Sequence, residues 1–232
     1  RFLKEPDPKH MSAATERNQM SEQNQTEGAG RRAALVTGGS RGIGAALSLR
    51  LAQDGFDVAV NYRSGAEAAQ ETVEQLRELG VEAIAVQGDV ADLEQMKAAA
   101  ASAIEAFGQL DVVVNNAGIS KDVLISSMET EDWRSVMDVN FGGVFNGTKA
   151  VLEHFMSRGS GSIINMSSVM GERGWVGEAN YSASKGAINA FTRCSAVELS
   201  RFGIRVNAVM PGFVPTELVE ELVAKSGAGI KR

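Results

Sequence analysis

From Arg31 onward, short apolar runs alternate with longer amphipathic stretches. Six runs are short and rich in β-branched residues, which is typical of buried strands: 33–37, 58–61, 83–87, 112–115, 162–166 and 205–209. Five stretches between them have the longer pattern of helices: 44–54, 67–79, 93–107, 133–157 and 181–202. This alternation predicts one doubly wound α/β domain, with a parallel sheet covered by helices on both faces.

The first 30 residues follow a different pattern. They are rich in Glu, Gln, Asn, Ser and Thr and show no apolar periodicity, so they predict a disordered tail ahead of a domain over 31–232. The tail has no apolar core of the kind a signal peptide needs, and its five acidic residues are unusual for a transit peptide. We therefore expect a cytoplasmic location.

Composition narrows the classes of function. The net charge is −6 without a basic cluster, which argues against nucleic acid, and no run of about 18 apolar residues predicts a membrane span. The two histidines, His10 and His154, lie far apart in sequence, so no metal site is expected. The one cysteine, Cys194, suits a reducing compartment and is expected to be a small buried side chain on a helix.

A glycine-rich segment follows the first strand and opens the first helix. Glycines there permit a tight turn and let the backbone approach a pyrophosphate, which then lies at the helix N-terminus, as in Rossmann-type sheets. A turn without a ligand is the weaker alternative. The predicted cofactor contacts in this segment are Thr37, Gly38, Ser40, Arg41, Gly42, Ile43 and Gly44.

The end of the second strand indicates the type of dinucleotide. An NAD site usually has an acid here that binds the ribose 2′-hydroxyl, but this chain has Asn61, followed by Tyr62 and Arg63. Arg63 and Arg41 supply two guanidinium groups, with no acid beside them in the sequence, which suits a 2′-phosphate. We therefore expect NADP(H). A solvated loop charge is the alternative for Arg63.

Two further segments are predicted to complete the rim of the nucleotide site. They follow the third and fourth strands and contribute Asp89, Val90, Asn116, Ala117 and Gly118. Small and amide side chains at these positions suit contact with an adenine or a ribose. Asp89 could equally cap the helix that follows it.

Ser168, Tyr181 and Lys185 are the candidate chemical groups. Tyr181 and Lys185 are four residues apart and share one helix face. An ammonium about 4 Å from a phenol contributes roughly 4 kcal/mol at an effective dielectric of 20, which would lower the phenol pKa by about 3 units. Such a phenol could exchange a proton with a carbonyl or alcohol oxygen that Ser168 also binds. An accidental helical pair is the alternative.

Together these motifs resemble the short-chain dehydrogenases/reductases over about residues 31–225. The glycine segment, the Asn-Asn-Ala-Gly run ending at Gly118, Asn140, Ser168, the Tyr181/Lys185 pair and Pro211-Gly212 occur in that family's order. The segments NNAGISKD and ANYSASKGAINAFT are most similar to β-ketoacyl-acyl-carrier-protein reductases, and acetoacetyl-CoA reductases look nearly the same.

The resemblance implies a role for each residue. Tyr181 would be the acid/base, Ser168 would bind the substrate carbonyl, and Lys185 would also hold the nicotinamide ribose. Asn140 would support a water relay to Lys185, and its place inside a predicted helix, where asparagine is a poor former, fits a functional role. The nicotinamide end would meet Pro211, Gly212, Val214 and Thr216; Thr216 could instead cap a helix, or do both.

The resemblance also concerns the carboxyl end and the partners. Family members continue past Arg232 into a further helix and strand, so we expect a sheet without its last strand, with 205–209 as an open edge. Tetramers are implied at full family length, and dimers through the helices of Asn140 and Tyr181 for this chain. Arg158 and Arg201 are candidates for docking an acidic carrier protein, or plain solvated charges.

Three hypotheses about function remain open at this stage. The leading one is reduction of a 3-oxoacyl thioester, on acyl carrier protein or CoA, by NADPH. A second is a short-chain dehydrogenase for a sugar, steroid or other alcohol. A third is a non-catalytic cofactor-binding subunit, against which the intact Ser168, Tyr181 and Lys185 argue.

Overall fold

The computed structural model describes residues 30–214. Six strands are present among them: β1 Ala33–Val36, β2 Asp57–Tyr62, β3 Ala83–Gln87, β4 Val112–Asn115, β5 Gly161–Met166 and β6 Ile204–Val209. The α-helices are α1 Gly42–Gln53, α2 Ala66–Glu78, α3 Leu93–Phe107, α4 Thr130–Met137, α5 Gly143–Arg158, α6 Met170–Arg173 and α7 Ala179–Leu199. The predicted alternation of strands and helices is confirmed, with boundaries that shift by a few residues.

One predicted helix is divided in the structure. The stretch 133–157 consists of α4, a π-helical turn over Asp138–Gly142, and α5. A second, tighter turn, the 3₁₀ segment Ser200–Phe202, follows α7, and the short helix α6 was not predicted. A π-helical turn inserts an extra residue into the helix and is frequent at functional sites. The insertion falls on Asn140, the residue whose poor helix propensity was noted in the sequence.

The strands form one parallel sheet in the order β3-β2-β1-β4-β5-β6. Leu35, in the middle of β1, pairs with Ala59 of β2 on one side and with Val113 of β4 on the other. The chain therefore winds outward from β1 to β3 and then returns to β4, so the strand order reverses between β1 and β4. In such sheets the ligand site lies outside the carboxyl ends of the strands at this reversal.

Two apolar layers bury the faces of the sheet. Side chains of β1 alternate between them, since successive residues of a strand point to opposite faces. Leu35 packs in the layer of Met96 from α3 and Phe155 from α5, while Val36 packs in the layer of Leu76 from α2. Each large side chain buried in this way contributes about 1.5–3 kcal/mol. The sheet is therefore a rigid platform for the loops at its carboxyl edge.

Cys194 is exposed, so the expectation of a buried cysteine is wrong. Thr192 and Ser195 carry the buried face of α7 in this turn, and Cys194 lies between them on the opposite face. Across residues 30–214, no helix is long and apolar enough to cross a membrane, and no group of three His, Cys, Asp or Glu side chains could hold a metal.

Some expectations concern the ends of the chain. The predicted tail over residues 1–30 falls, except for Gly30, outside the described residues, and so does Thr216. Within the described range β6 pairs with β5 alone.

Candidate active site

A cleft of about 480 Å³ opens at the carboxyl edge of the sheet, where β1 and β4 diverge. This volume is in the range of small-molecule sites, about 300–1,000 Å³. Within residues 30–214, its wall includes Ser168 and every predicted cofactor residue except Thr37. The structure therefore brings together side chains that are spread over most of the domain in sequence.

The glycine segment folds tightly against the start of α1. A Cβ on Gly44 would lie 2.1 Å from the Gly38 carbonyl oxygen, so only glycine fits there. Gly38 has φ +60 and lies against Ala117, where a Cβ would come within 3.0 Å of the Ala117 Cα. No side chain caps the first turn of α1, because Arg41 at the N-cap makes no capping hydrogen bond. The amide groups at this helix N-terminus therefore suit a phosphate of a dinucleotide.

Thr37 is the exception among the predicted contacts. It is 2 % exposed, and its Oγ1 accepts hydrogen bonds from the backbone N of Asn116 at 2.9 Å and of Ala117 at 3.0 Å. In return, Asn116 Nδ2 donates to the carbonyl oxygens of Thr37 at 3.0 Å and Gly38 at 3.2 Å. Thr37 and Asn116 thus tie the loop after β1 to the loop after β4. Thr37 shapes the cleft from behind and is not part of its wall.

Beside the glycine segment, where the Gly39 amide donates to the Asn61 carbonyl at 3.0 Å, the polar side chains differ from the sequence expectation. Asn61 is buried, and its Nδ2 donates to the carbonyl oxygens of Val86 at 3.3 Å and Gly88 at 3.1 Å. Arg63 Nη1 lies 3.8 Å from Asp89 Oδ2. The expectation that no carboxylate lies near the arginines is therefore wrong, because β2 and β3 are neighbours and their carboxyl ends meet.

Asp89 does not cap the following helix. Asp92 caps α3, since its carboxylate accepts from the backbone N of Glu94 and Gln95. Asp89 Oδ1 instead accepts from the Ala91 amide at 2.9 Å, which closes the turn after β3. The alternative interpretation of Asp89 is wrong, and its side chain remains on the cleft wall.

Ser168, Tyr181 and Lys185 lie together at the carboxyl end of β5. Ser168 follows the strand, its Oγ accepts from the Met170 amide at 3.2 Å, and it lines the cleft together with Tyr181, which stands on the first turn of α7. Lys185 is 5 % exposed, and its Nζ donates to the Met166 carbonyl at 2.7 Å. The same Nζ lies 5.4 Å from the centre of the Tyr181 ring.

The electrostatics of this cluster differ from the expectation. Burial lowers the pKa of Lys185 to about 8. Burial also raises the pKa of Tyr181, although the hydrogen bond from Ser168 opposes this, and Glu178 and Asp122 raise it further. The expected lowering of the Tyr181 pKa by Lys185 is not found, because the ammonium is directed at the Met166 carbonyl. In this state Tyr181 is a neutral phenol and therefore a proton donor.

Asn140, in the π-helical turn, is buried behind the cleft. Its Oδ1 accepts from the Ile119 amide at 2.8 Å, and its Nδ2 donates to the Ile119 carbonyl at 3.0 Å and to Ser184 Oγ at 3.1 Å. A Cβ on Gly118 would lie 3.2 Å from Asn140 Oδ1 and 3.8 Å from Lys185 Nζ. Asn140 therefore fixes the loop after β4 to α7 close to Lys185. Its part in a water relay stays a prediction.

The segment after β6 closes the remaining side of the cleft. The Val169 amide donates to the Pro211 carbonyl at 3.1 Å, so this segment runs along the residues that follow β5. Pro211, Gly212 and Val214 line the cleft next to Ser168 and Tyr181, as expected of the nicotinamide end.

The two arginines considered for carrier docking lie elsewhere. Arg158 ends α5 and donates to the Leu110 carbonyl at 2.6 Å and to Asp111 Oδ1 at 2.9 Å, just before β4 begins. Arg201 stacks over Phe202 at 4.7 Å, just before β6 begins. Parallel strands begin at the edge opposite their carboxyl ends, so neither arginine lies at the entrance of this chain's own cleft.

One residue near the chemistry had no signal in the sequence. Glu178 is 5 % exposed, and its Oε2 has no hydrogen-bond partner in the structure. Burial raises the pKa of its carboxyl, and the charge of Asp122 raises it further. A glutamate just before a helix is usually explained by its favourable interaction with the helix dipole, so nothing in the sequence singles out Glu178. Its burial in the fold does.

The buried Lys185 makes a prediction about stability. Its pKa is about 8 in the folded chain against an ordinary 10.5, so the unfolded chain holds more protons between these values and stability rises with pH there. In nucleotide-free protein, the free energy of unfolding should rise by up to about 3 kcal/mol relative to Lys185→Met across this range. Urea unfolding at several pH values measures the difference.

Lys97→Met is the matched control, because Lys97 is a half-exposed lysine that pairs with Glu94. Its stability should follow that of the parent at every pH. If the free energy of unfolding depends on pH in the same way for the parent and for Lys185→Met, the claim that Lys185 is a buried ammonium would be contradicted.

Comparison with known proteins places these features in a family. The model of the short chain dehydrogenase family matches residues 32–227. The chain is 44 % identical over 191 residues to 3-oxoacyl-[acyl-carrier-protein] reductase of Staphylococcus aureus, covering 82 % of this chain and 78 % of that protein. Identity is 46 % over 192 residues, 83 % and 78 % of the two chains, to the protein of that name in Synechocystis sp..

Two further relatives differ in the substrates that their names indicate. Acetoacetyl-CoA reductase of Cupriavidus necator is 40 % identical over 191 residues, 82 % of this chain and 78 % of that protein. The crystal structure of NAD+-bound xylitol dehydrogenase superposes with a TM-score of 0.81 at 35 % identity, covering 85 % of this chain and 77 % of that one. The matched residues include the sheet, the glycine segment and the cluster of Ser168, Tyr181 and Lys185. The chain therefore belongs to the short-chain dehydrogenase family of nicotinamide-dependent oxidoreductases.

Proposed function

We propose that this chain reduces a 3-oxoacyl thioester to the 3-hydroxyacyl thioester with NADPH, the acyl group being carried by acyl carrier protein or CoA. The observation that carries the proposal is a neutral phenol, Tyr181, that lines the cleft together with Ser168 and Lys185. Relatives at 40–46 % identity are named for this reaction. With this substrate the chain would act in fatty acid biosynthesis in the cytoplasm.

The proposed chemistry is the addition of a hydride and a proton across a carbonyl. A bound reduced nicotinamide supplies the hydride to the carbonyl carbon. Tyr181 donates its proton to the carbonyl oxygen as negative charge develops there, and Ser168 donates a hydrogen bond to the same oxygen. Because both hydroxyls line the same part of the cleft, we propose that one carbonyl oxygen accepts from both.

Lys185 and Asn140 have supporting roles in the proposal. The Lys185 ammonium beside the Tyr181 ring stabilises the phenolate that remains after proton transfer. Asn140 holds the loop of Ile119 and Gly118, and we propose that a water relay to Lys185 forms beside Gly118 and returns the proton.

Exposed apolar side chains on segments that continue from the cleft wall at Ser120, Gly212 and Val214 favour an acyl chain over a polyol. Trp175 and Phe213 lie edge to face with ring centres 6.4 Å apart, and both are exposed in the described residues. Leu124 and Ile125 are exposed on the loop that packs beside Gly177. Acyl chains bind apolar walls, whereas a polyol such as xylitol requires hydrogen-bonding side chains. This difference separates the proposal from the function named for the structural relative.

The proposed preference for NADPH rests on Arg63 and Asn61. Arg63 and Asp89 form a long and largely exposed pair, which is worth about 0–1 kcal/mol, so the guanidinium is available to a phosphate. Asn61 donates its amide hydrogens to the carbonyl oxygens of Val86 and Gly88 and carries no carboxylate at the end of β2. Arg41, at the N-cap of α1, adds a second positive charge on the cleft wall. A 2′-phosphate would form stronger hydrogen bonds with these two guanidinium groups than a 2′-hydroxyl would.

The preference leads to a prediction about cofactor binding. NADPH should bind at least about tenfold more tightly than NADH, a difference of about 1.4 kcal/mol. Arg63→Ala should weaken NADPH and leave NADH nearly unchanged, whereas Arg50→Ala, on the exposed side of α1, should change neither. Fluorescence titration of both nucleotides measures this. Equal binding curves in the parent would refute the preference.

The proposed acid leads to a second prediction. Tyr181→Phe removes one hydroxyl and should lower kcat with acetoacetyl-CoA by a factor of about 100 or more, while folding and NADPH affinity are retained. Steady-state kinetics and NADPH titration of the same preparation separate the two effects. Near-normal kcat in this variant would show that another group donates the proton.

We also propose that the chain forms a homo-oligomer. Phe141 and Phe145 contact Phe191 with ring centres 6.0 and 6.4 Å apart, and Phe145 is 47 % exposed. Val197 on α7 is 79 % exposed. A joined apolar surface on two long helices, α5 and α7, is typical of a subunit interface.

Light scattering tests the interface. The parent should have at least the mass of a dimer, because burying these side chains favours association. Phe145→Asp should be monomeric, whereas Lys97→Asp, at a half-exposed position of α3, should keep the mass of the parent and so shows that a new negative charge alone does not separate subunits. A monomeric parent would contradict the proposal.

A further inference from the structure

Glu178 is a buried carboxyl for which the proposed reaction has no task. It occupies the N-cap position of α7, yet its side chain makes no capping hydrogen bond. Its Oε2 has no partner in the structure, and neither does Ser182 Oγ, one turn further along the helix. A buried carboxyl without a full set of hydrogen bonds costs stability, so the position calls for an explanation beyond packing.

The helix places Glu178 beside the reacting phenol. Tyr181 is three residues further along α7, and side chains three apart are neighbours on a helix surface. The backbone around both residues is fixed: the Ser182 amide donates to the Glu178 carbonyl at 2.8 Å, and the Val123 amide donates to the Gly177 carbonyl at 2.9 Å. Glu178 therefore keeps its place relative to Tyr181.

Two lysines near Glu178 have other partners. Lys121 Nζ pairs with Asp132 at 2.9 Å, and Lys185 Nζ donates to the Met166 carbonyl at 2.7 Å. The carboxylate of Glu172, on α6, accepts from Asn189 at 3.0 Å. Arg173 is exposed at the end of α6.

Asp122, on the loop that packs against Gly177, is hydrogen-bonded to Ser120 and adds a second negative charge near Glu178. No ion pair in the described residues neutralises Glu178.

We propose that Glu178 is a positioning residue whose charge determines how tightly Tyr181 holds its proton, and thereby the pH up to which the phenol remains a proton donor. A negative charge beside a phenol disfavours the phenolate. Reduction needs the phenol as a proton donor, whereas oxidation of an alcohol needs the phenolate as a base. The ionised Glu178 therefore maintains the donor form. This inference deepens the proposed function and rests on it for the direction of the reaction.

Burial supports the same conclusion. The pKa of Glu178 is raised, first by burial and then by Asp122, so its charge appears at a higher pH than that of an ordinary glutamate. As Glu178 ionises, the pKa of Tyr181 rises in turn. The site thus contains a carboxyl whose ionisation the neighbouring phenol should report.

The chain has two tyrosines, so the phenol can be observed directly. Protein labelled with 13C at tyrosine Cζ should give two NMR signals, which Tyr62→Phe assigns. In the parent, the Tyr181 signal should move in one step as Glu178 ionises, well below the pH at which the phenol itself titrates. Glu178→Gln should abolish this step, and Glu178→Asp should retain one.

Kinetics test the consequence for the reaction. In Glu178→Gln, the rising limb of the pH profile for oxidation of 3-hydroxybutyryl-CoA by NADP+ should move to lower pH by about half a unit or more. The falling limb of the profile for reduction of acetoacetyl-CoA should move by the same amount, because the two directions use the protonated and deprotonated forms of one phenol. Glu172→Gln, which removes a carboxylate from neighbouring α6, should leave the NMR step and the profile as in the parent.

The NMR titration and the kinetics test the inference and the proposed function separately. If no acyl thioester is turned over, the proposed function is wrong, and the NMR step still decides whether Glu178 controls Tyr181. Absence of the step in the folded parent would overturn the inference, and so would its persistence in Glu178→Gln or its loss in Glu172→Gln.

Discussion

Burial of the Lys185 ammonium is the constraint on which the rest of the site depends. The charge lies inside the protein without a carboxylate partner among residues 30–214, and its hydrogen bond goes to the Met166 carbonyl at the end of β5. A buried charge is costly, and here the cost lowers the pKa of Lys185 to about 8. The fold tolerates this cost because α7 is fixed against β5 and the π-helical turn. Asn140, in that turn, donates a hydrogen bond to Ser184 of α7. The ammonium thus acts on the cleft with little screening by water.

The topology of the sheet determines what faces that charge. Reversal of strand order between β1 and β4 opens the cleft, and Thr37 and Asn116 tie the two diverging loops together across it. The predicted contacts to the phosphates and the adenosine ribose then lie mainly at the ends of β1 to β3, whereas the chemical residues and the predicted nicotinamide contacts lie beside the ends of β5 and β6. One rigid sheet therefore positions both groups of side chains, which would reduce the cost of orienting a bound dinucleotide and a substrate.

Much of this arrangement follows from the sequence, for physical reasons. The strands have a strong apolar signal because parallel strands are buried on both faces. The glycine segment and the Tyr181/Lys185 spacing are local, so their geometry follows from turn and helix rules alone. The π-helical turn is less visible, since a helix and a helix with one inserted residue have nearly the same periodicity, and Asn140 was the only indication.

The sequence predictions that were wrong concern contacts between distant segments and the direction of side chains. Arg63 and Asp89 are 26 residues apart and meet only because β2 and β3 are neighbours. The spacing of Tyr181 and Lys185 predicts a shared helix face, but not that the Lys185 Nζ turns toward Met166. Arg158 was considered as a docking residue because of the family resemblance, which did not show that its guanidinium binds Leu110 and Asp111.

The central claim is that this cleft combines NADPH with an acyl ketone. The most direct measurement compares two values of kcat/KM for the same preparation, followed through the absorbance of the nicotinamide. One is for reduction of an acetoacetyl thioester, on CoA and on acyl carrier protein, by NADPH; the other is for oxidation of xylitol by NAD+. The account predicts that a thioester is preferred by a factor of about 100 or more, equivalent to about 2.7 kcal/mol in transition-state binding. Faster turnover of the polyol with NAD+ would contradict it.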